Sequence, residues 1–175
     1  MAVRPLVQTN DPVLRQRAQR VTSFGVALQS LITDMVDTMQ AQKGVGLAAP
    51  QIGVSQQVLV IQFSENEKDA ERGDLYILCN PKIVRRRGEE PETEGCLSLP
   101  GFAGEVPRAT MVTVKGQDAE GKPVHIKAHG FLARIFQHEI DHLYGKLYID
   151  RVESAEKIWR VQPAGEGDEG EVELL

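Results

Sequence analysis

QHEIDHLYG, residues 137–145, is the stretch on which the reading of this chain turns. His138 and His142 stand four positions apart. On a helix that spacing rotates them by about 40° and separates them by about one turn, so both rings reach a single ion. Glu139 lies beside them as a candidate base for a water at that ion, in the H-E-x-x-H arrangement used by zinc hydrolases. Two ligands hold a metal weakly, so a third has to come from elsewhere.

The same helix, expected over 130–144, carries Phe131 and Ile135 on the face of the two histidines and Leu132, Phe136, Ile140 and Leu143 on a roughly opposite face. A helix apolar on two sides lies in a core. Three positions compete for the third ligand. Gly145 falls where the metzincin pattern has its glycine, but Tyr148 occupies the place of that pattern's last histidine, and neutral tyrosine is a poor ligand. Asp150, Glu153 or Glu156 would complete a site of two histidines and one carboxylate. Cys96, in EGCLSLPG (94–101), would add a thiolate, a strong ligand for Zn²⁺ and Fe²⁺ that leaves a fourth position open.

Upstream, Asn10-Asp11 before Pro12 predicts a short helix, and Leu28, Leu31, Ile32, Met35 and Met39 predict a second over 24–42, ended by Gly44. Strand-like runs begin at Gln57, Leu75, Lys82, Ala109 and Pro123, with DAEGK (118–122) as a hairpin turn. Helices, then an antiparallel-looking sheet, then one helix give an α+β fold: N-terminal helices and a mostly antiparallel sheet packed around the central histidine-bearing helix. Residues 64–74 are polar and expected to form an exposed loop. A single catalytic domain is expected over 1–160, followed by an acidic tail, 161–175, expected to be disordered.

The bulk numbers set limits. The 175 residues carry a net charge of −5, and 41% are hydrophobic. Five of the 25 acids lie in 161–175, which has no base, so acids and bases balance over 1–160. A neutral body gives no electrostatic case for nucleic acid or a membrane surface. Arg85-Arg86-Arg87 reads as a solvated strand end or turn, with contact to an acidic partner such as RNA as the alternative. The start lacks the apolar segment of a signal peptide, and no apolar run has membrane-spanning length. Two cysteines, Cys79 and Cys96, suit a reducing compartment, so a cytoplasmic location is expected.

GVGLAAPQIG (44–53), EGCLSLP (94–100) and QHEIDHLYGKLYID (137–150) together resemble the three signature motifs of the peptide deformylase family, in the family's order. The similarity extends to DPVLRQRA, NPKIV and VPRA and spans about residues 4–152. The resemblance implies a metal-dependent amidohydrolase that removes the N-formyl group from the initiator methionine of nascent polypeptides and releases formate. It implies Cys96, His138 and His142 as ligands of one divalent ion, usually Fe²⁺, with Zn²⁺, Ni²⁺ or Co²⁺ able to replace it. Glu139 would move the proton, and the Gln51 amide and the Leu97 N–H would stabilise charge on the formyl oxygen. Gly46 would let the substrate chain approach, while Phe131 and Ile135 would line the pocket for its first side chain. The expected partners are N-formylmethionyl peptides and a transient ribosome contact, with a monomeric enzyme. Ala103 stands where many members have arginine, and Phe131 where leucine is common. Rival readings are an endopeptidase at the same site, and a structural metal closed by Cys79, Cys96, His138 and His142.

Overall fold

Alternate residues of Val58–Phe63 enter two different apolar clusters, and this sets the layering of the molecule. The structure, a computed structural model, describes residues 2–64, 73–161 and 175. Strands β1 (Gly46–Ala48), β2 (Val58–Phe63), β3 (Asp74–Arg87), β6 (Met111–Gln117) and β7 (Pro123–His129) form a five-stranded sheet in that order, each neighbouring pair antiparallel. Strands β4 (Glu90–Cys96), β5 (Leu99–Arg108) and β8 (Ile158–Arg160) form a second antiparallel sheet, in the order β4-β5-β8. Helix α1 is Val26–Ala41 and helix α2 is Gly130–Leu143.

In β2, Val58 and Val60 join a cluster with Leu28, Leu31, Ile32, Met35 and Met39 of α1. Leu59 and Ile61 join the other, with Ala133, Ile135, Phe136, Ile140 and Leu143 of α2. The period of two along a strand thus places α1 and α2 on opposite faces of the sheet. Every residue of α2 from Ala133 to Leu143 is buried, as its two apolar sides require.

Three local details correct the sequence reading. The expected first helix is a single 3-10 turn, Pro12–Arg15, with the Asp11 carboxylate accepting from Val13 N at 3.0 Å. Gly44 does not supply the left-handed residue after α1. Lys43 does, at φ 55°, while Gly44 N and Lys43 N donate back to the Met39 and Gln40 carbonyls and close the helix end. Finally, the runs at Leu75 and Lys82 are one strand, β3, not two. The Asn-Pro signal between them is absorbed as a register shift, in which Asn80 takes φ 53°. Its side chain accepts from Val21 N and donates to the Val21 carbonyl, so the bend is held from outside the sheet.

Strands β4 and β5 escaped the sequence reading because Glu, Pro and Gly fill them. They form the hairpin that carries Cys96. The expected exposed loop at 64–74 lies, for residues 65–72, outside the described residues, as does the tail over 162–174. Of the tail's two described residues, Val161 donates its N–H to the Gly101 carbonyl at 3.0 Å, and Leu175 is buried.

Candidate active site

Helix α2 delivers His138 and His142 from one face, and the tip of the β4–β5 hairpin delivers Cys96 opposite them. Cys96 pairs with Leu99 across a turn of only two residues, next to a register shift at Gly95/Cys96 that re-aims the thiol. Cys96 Sγ lies 3.4 Å from His142 Nε2, which lies 3.2 Å from His138 Nε2. All three donor atoms fall within 4.8 Å of one another and all three residues are buried. Tetrahedral coordination with bonds of about 2.0–2.3 Å needs donor separations of roughly 3.3–3.6 Å, so the set fits one ion.

Cys79 is not part of this group. It lies in the α1-side cluster, opposite Val58 on β2, and burial followed by the charge of Asp118 pushes its thiol up to about 11. Among the described residues the closed four-ligand shell therefore does not form. His125 and His129 lie exposed on β7, away from the ligands. The Arg85–Arg87 run is the exposed end of β3.

The chemistry of the donors suits a metal. Burial holds the His142 imidazole well below its ordinary range, which favours the neutral ring. His138 Nδ1 sits 2.8 Å from Glu94 Oε1. Donation to that carboxylate leaves Nε2 with its lone pair facing His142 and Cys96, the carboxylate–histidine arrangement that orients metal ligands. Burial opposes the charge on Glu94, but Arg108 and His138 outweigh it and hold its carboxyl far below the usual range. Arg108 makes two 2.8 Å bonds to Glu94 and a 2.6 Å bond to Asp141. Arg134 Nη1 adds a 2.7 Å bond to Glu94, and Arg151 binds Asp141 from the far side.

Glu94, Arg108, Arg134 and Asp141 were given no role in the sequence reading. One signal was present: Arg134 is a lone cation in an otherwise apolar helical turn, and a buried cation needs a partner.

Glu139 is fully buried, and both of its carboxylate oxygens lack a hydrogen-bond partner among the described residues. Burial, then the charge of Glu94, pushes its carboxyl well above the ordinary range. Gln51 sits in a 3-10 turn, Ala49–Ile52. Its Oε1 accepts from Ala48 N at 2.8 Å, which aims Nε2 toward Cys96 Sγ at 3.6 Å and Ser98 Oγ at 3.5 Å. Those are long contacts, so the amide keeps donor capacity. Leu97 N points to a carbonyl oxygen, that of Leu175, at 3.2 Å. Ile135 is fully buried, and Phe131 is half-buried against Phe63, with ring centroids 5.4 Å apart. Gly46 faces Glu139: a Cβ there would stand 2.5 Å from Oε1.

The sequence profile of the polypeptide deformylase family matches residues 3–158. A peptide deformylase of Dehalococcoides mccartyi (strain CBDB1) is 42% identical over 166 residues, 95% of this chain and 96% of that protein. One of Halothermothrix orenii is 49% identical over 152 residues, 87% and 95% of the two chains. Among solved structures, a peptide deformylase from Legionella pneumophila superposes with a TM-score of 0.83 at 46% identity, covering 89% of each chain. One from Synechococcus elongatus, in complex with actinonin, gives 0.81 at 43% identity, covering 87% of this chain and 82% of that one.

Proposed function

The chain belongs to the peptide deformylase family, and from that premise we propose how its buried site removes the N-formyl group of nascent polypeptides. The observation that carries the reading is the convergence of Cys96, His138 and His142 beside the unpartnered Glu139 carboxylate. Neither an endopeptidase nor a closed structural metal site has support. When bound to the three ligands, a divalent ion supplies Lewis acidity and makes water easier to deprotonate.

The remaining steps fall to side chains and backbone. Glu139 takes the proton of the attacking water and returns it to the departing amine. A positioned acid/base of this kind is worth about 10²–10⁴ in rate. Its site supports the role, since a carboxyl without internal partners is free to exchange a proton with substrate. As the formyl carbon becomes tetrahedral, charge gathers on its oxygen. Gln51 Nε2 and Leu97 N–H donate to that oxygen, each such donor being worth about 3–4 kcal/mol. Glu94 holds the His138 ring through Nδ1.

Phe131 and Ile135, on the ligand-bearing face of α2, line the slot for the methionine side chain, an apolar chain that adapts to such pockets. The peptide runs as an added strand beside β1, the edge strand of its sheet, at Gly46. We take α2 as the helix around which the two sheets are organised, and residues 1–160 as one catalytic unit. Fe²⁺ is the proposed ion in the cell, with Zn²⁺, Ni²⁺ and Co²⁺ as replacements, since one thiolate and two imidazoles suit all four. All the site residues come from one chain, which supports a working monomer. Substrates that emerge from the ribosome support a cytoplasmic location and a transient ribosome contact.

The experiment is formate release from formyl-Met-Ala-Ser by protein loaded with one divalent ion, with the acetylated peptide as control. Formyl-Met peptides should exceed formyl-Ala peptides in kcat/KM by about one to two decades. Equal turnover of formylated and acetylated peptides would overturn the reading.

A further inference from the structure

Leu175 already uses the backbone donor assigned above to the formyl oxygen. Its carbonyl oxygen accepts from Leu97 N at 3.2 Å. The residue is 1% exposed and belongs to the apolar cluster of Ala133, Ile135 and Phe136, against which Val45 and Phe131 pack. Leucine and methionine exchange in apolar cores at small cost because their volumes match. Leu175 thus shows the two features by which a formylmethionyl chain is recognised. One is an apolar side chain of that size in the α2 cluster, and the other is a carbonyl oxygen on Leu97 N–H.

An N–H is a single donor, so Leu175 and a substrate cannot both be served. With Leu175 in place, Cys96, His138, Glu139 and His142 are all at most 1% exposed. We propose that Leu175 is an internal, substrate-like ligand of the catalytic site that competes with the incoming peptide for the Leu97 N–H and the apolar slot. The proposal rests on the deformylase reading of Leu97, and on the contacts of Leu175 rather than on any group beyond its carbonyl. The ligand belongs to the same chain as the site it occupies, and Val161, the described residue before it, is bonded to Gly101. Tethered ligands act at effective concentrations on the order of mM, so even a weak contact occupies a sizeable share of the sites. Occupancy of this kind raises KM and leaves kcat unchanged, because a bound substrate has already displaced the competitor.

The test uses the Zn²⁺-loaded full chain, Leu175→Asp, Leu175→Met and a chain ending at Val161. Formate release from formyl-Met-Ala-Ser is measured together with hydrogen exchange at the Leu97 amide. Leu175→Asp and the shortened chain should lower KM by about two- to tenfold at unchanged kcat, with faster Leu97 exchange, while Leu175→Met keeps both values. A synthetic 162–175 peptide should raise the KM of the shortened chain. Identical KM and identical Leu97 exchange in the full chain and Leu175→Asp would overturn the proposal. If the shortened chain fails to fold, the Asp and Met variants decide alone. If no variant releases formate, the functional reading falls, and Leu97 exchange still reports whether Leu175 binds there.

Discussion

Gly46 and Glu139 are packed so closely that any side chain at 46 forces the Glu139 carboxylate to move: a Cβ on Gly46 would meet Glu139 Oε1 at 2.5 Å and Cδ at 2.9 Å. Gly46 is not in the left-handed backbone region, so the requirement is space rather than conformation. Gly46→Ala should therefore leave the fold and the three ligands in place and push the carboxylate aside. A displacement of about 1 Å near reacting atoms costs on the order of 10² in rate. Metal content and circular dichroism should match the parent while kcat drops by roughly that factor. Full activity would mean that the carboxylate position is not what limits turnover.

The helical spacing of Leu28 to Met39 predicts α1, because burial on one helix face leaves a period, and the unbroken apolar run Val58–Ile61 predicts β2, a strand buried on both faces. The DAEGK turn is equally local, since Asp118 accepts from Glu120 N and Lys122 N. The histidine spacing exposes two ligands, but Cys96 needed the family resemblance. Its hairpin has no apolar alternation, and the register shift that aims the thiol leaves no trace in composition. Glu94 pairs with Arg108 and Arg134 across strand and helix, and such tertiary ion pairs carry no spacing rule. The glycine at 44 reads as a helix stop, yet the left-handed residue is Lys43, and a Cβ on Gly44 would stand 2.8 Å from the Leu97 side chain.

The two cysteines should separate cleanly in a metal assay. Cys96→Ala removes one of three converging donors and should abolish stoichiometric binding of a divalent ion. Cys79→Ala leaves the ligands intact, and the small cavity it opens in the α1-side cluster should cost about 1 kcal/mol of stability. Metal content by mass spectrometry and a thermal melt are enough to distinguish them. Loss of the ion from both variants would revive the closed site.

Asp34 offers a pH test remote from the metal. Its carboxylate accepts from Arg4 Nε at 2.8 Å and Ala2 N at 2.9 Å, clamping the start of the chain to α1. The Arg4 hydrogen bond, against the opposing effect of burial, holds its carboxyl below the ordinary 3.8. A carboxyl with a lower pKa folded than unfolded contributes stability above the unfolded value and loses it as pH falls through the folded one. The melting-temperature gap between the parent and Asp34→Asn should thus be widest near about pH 7 and close as pH falls below about 3.8. A gap that stays constant over that range would show that the clamp does not depend on the charge.

Glu94 supports the site through two separable links. One is the 2.8 Å contact to His138 Nδ1, and the other is the ion pairing to Arg108 and Arg134. Glu94→Gln keeps the shape and removes the charge. Weakening the partner of a ligating histidine typically lowers metal affinity by about 10–100-fold. Breaking a buried ion pair costs about 3–5 kcal/mol when the remaining charge is stranded. Here Asp141 still pairs with Arg108 and Glu92 with Arg134, so the loss should fall toward the lower end. Asp141→Asn is the control that separates the links. It weakens the same arginine network from the other end while leaving the Glu94–His138 contact untouched. Urea denaturation should show both variants destabilised, and competition with a chelator should show weakened ion binding only in Glu94→Gln. If Asp141→Asn releases the ion as readily, the network as a whole, and not the carboxylate on His138, sets the ligand geometry.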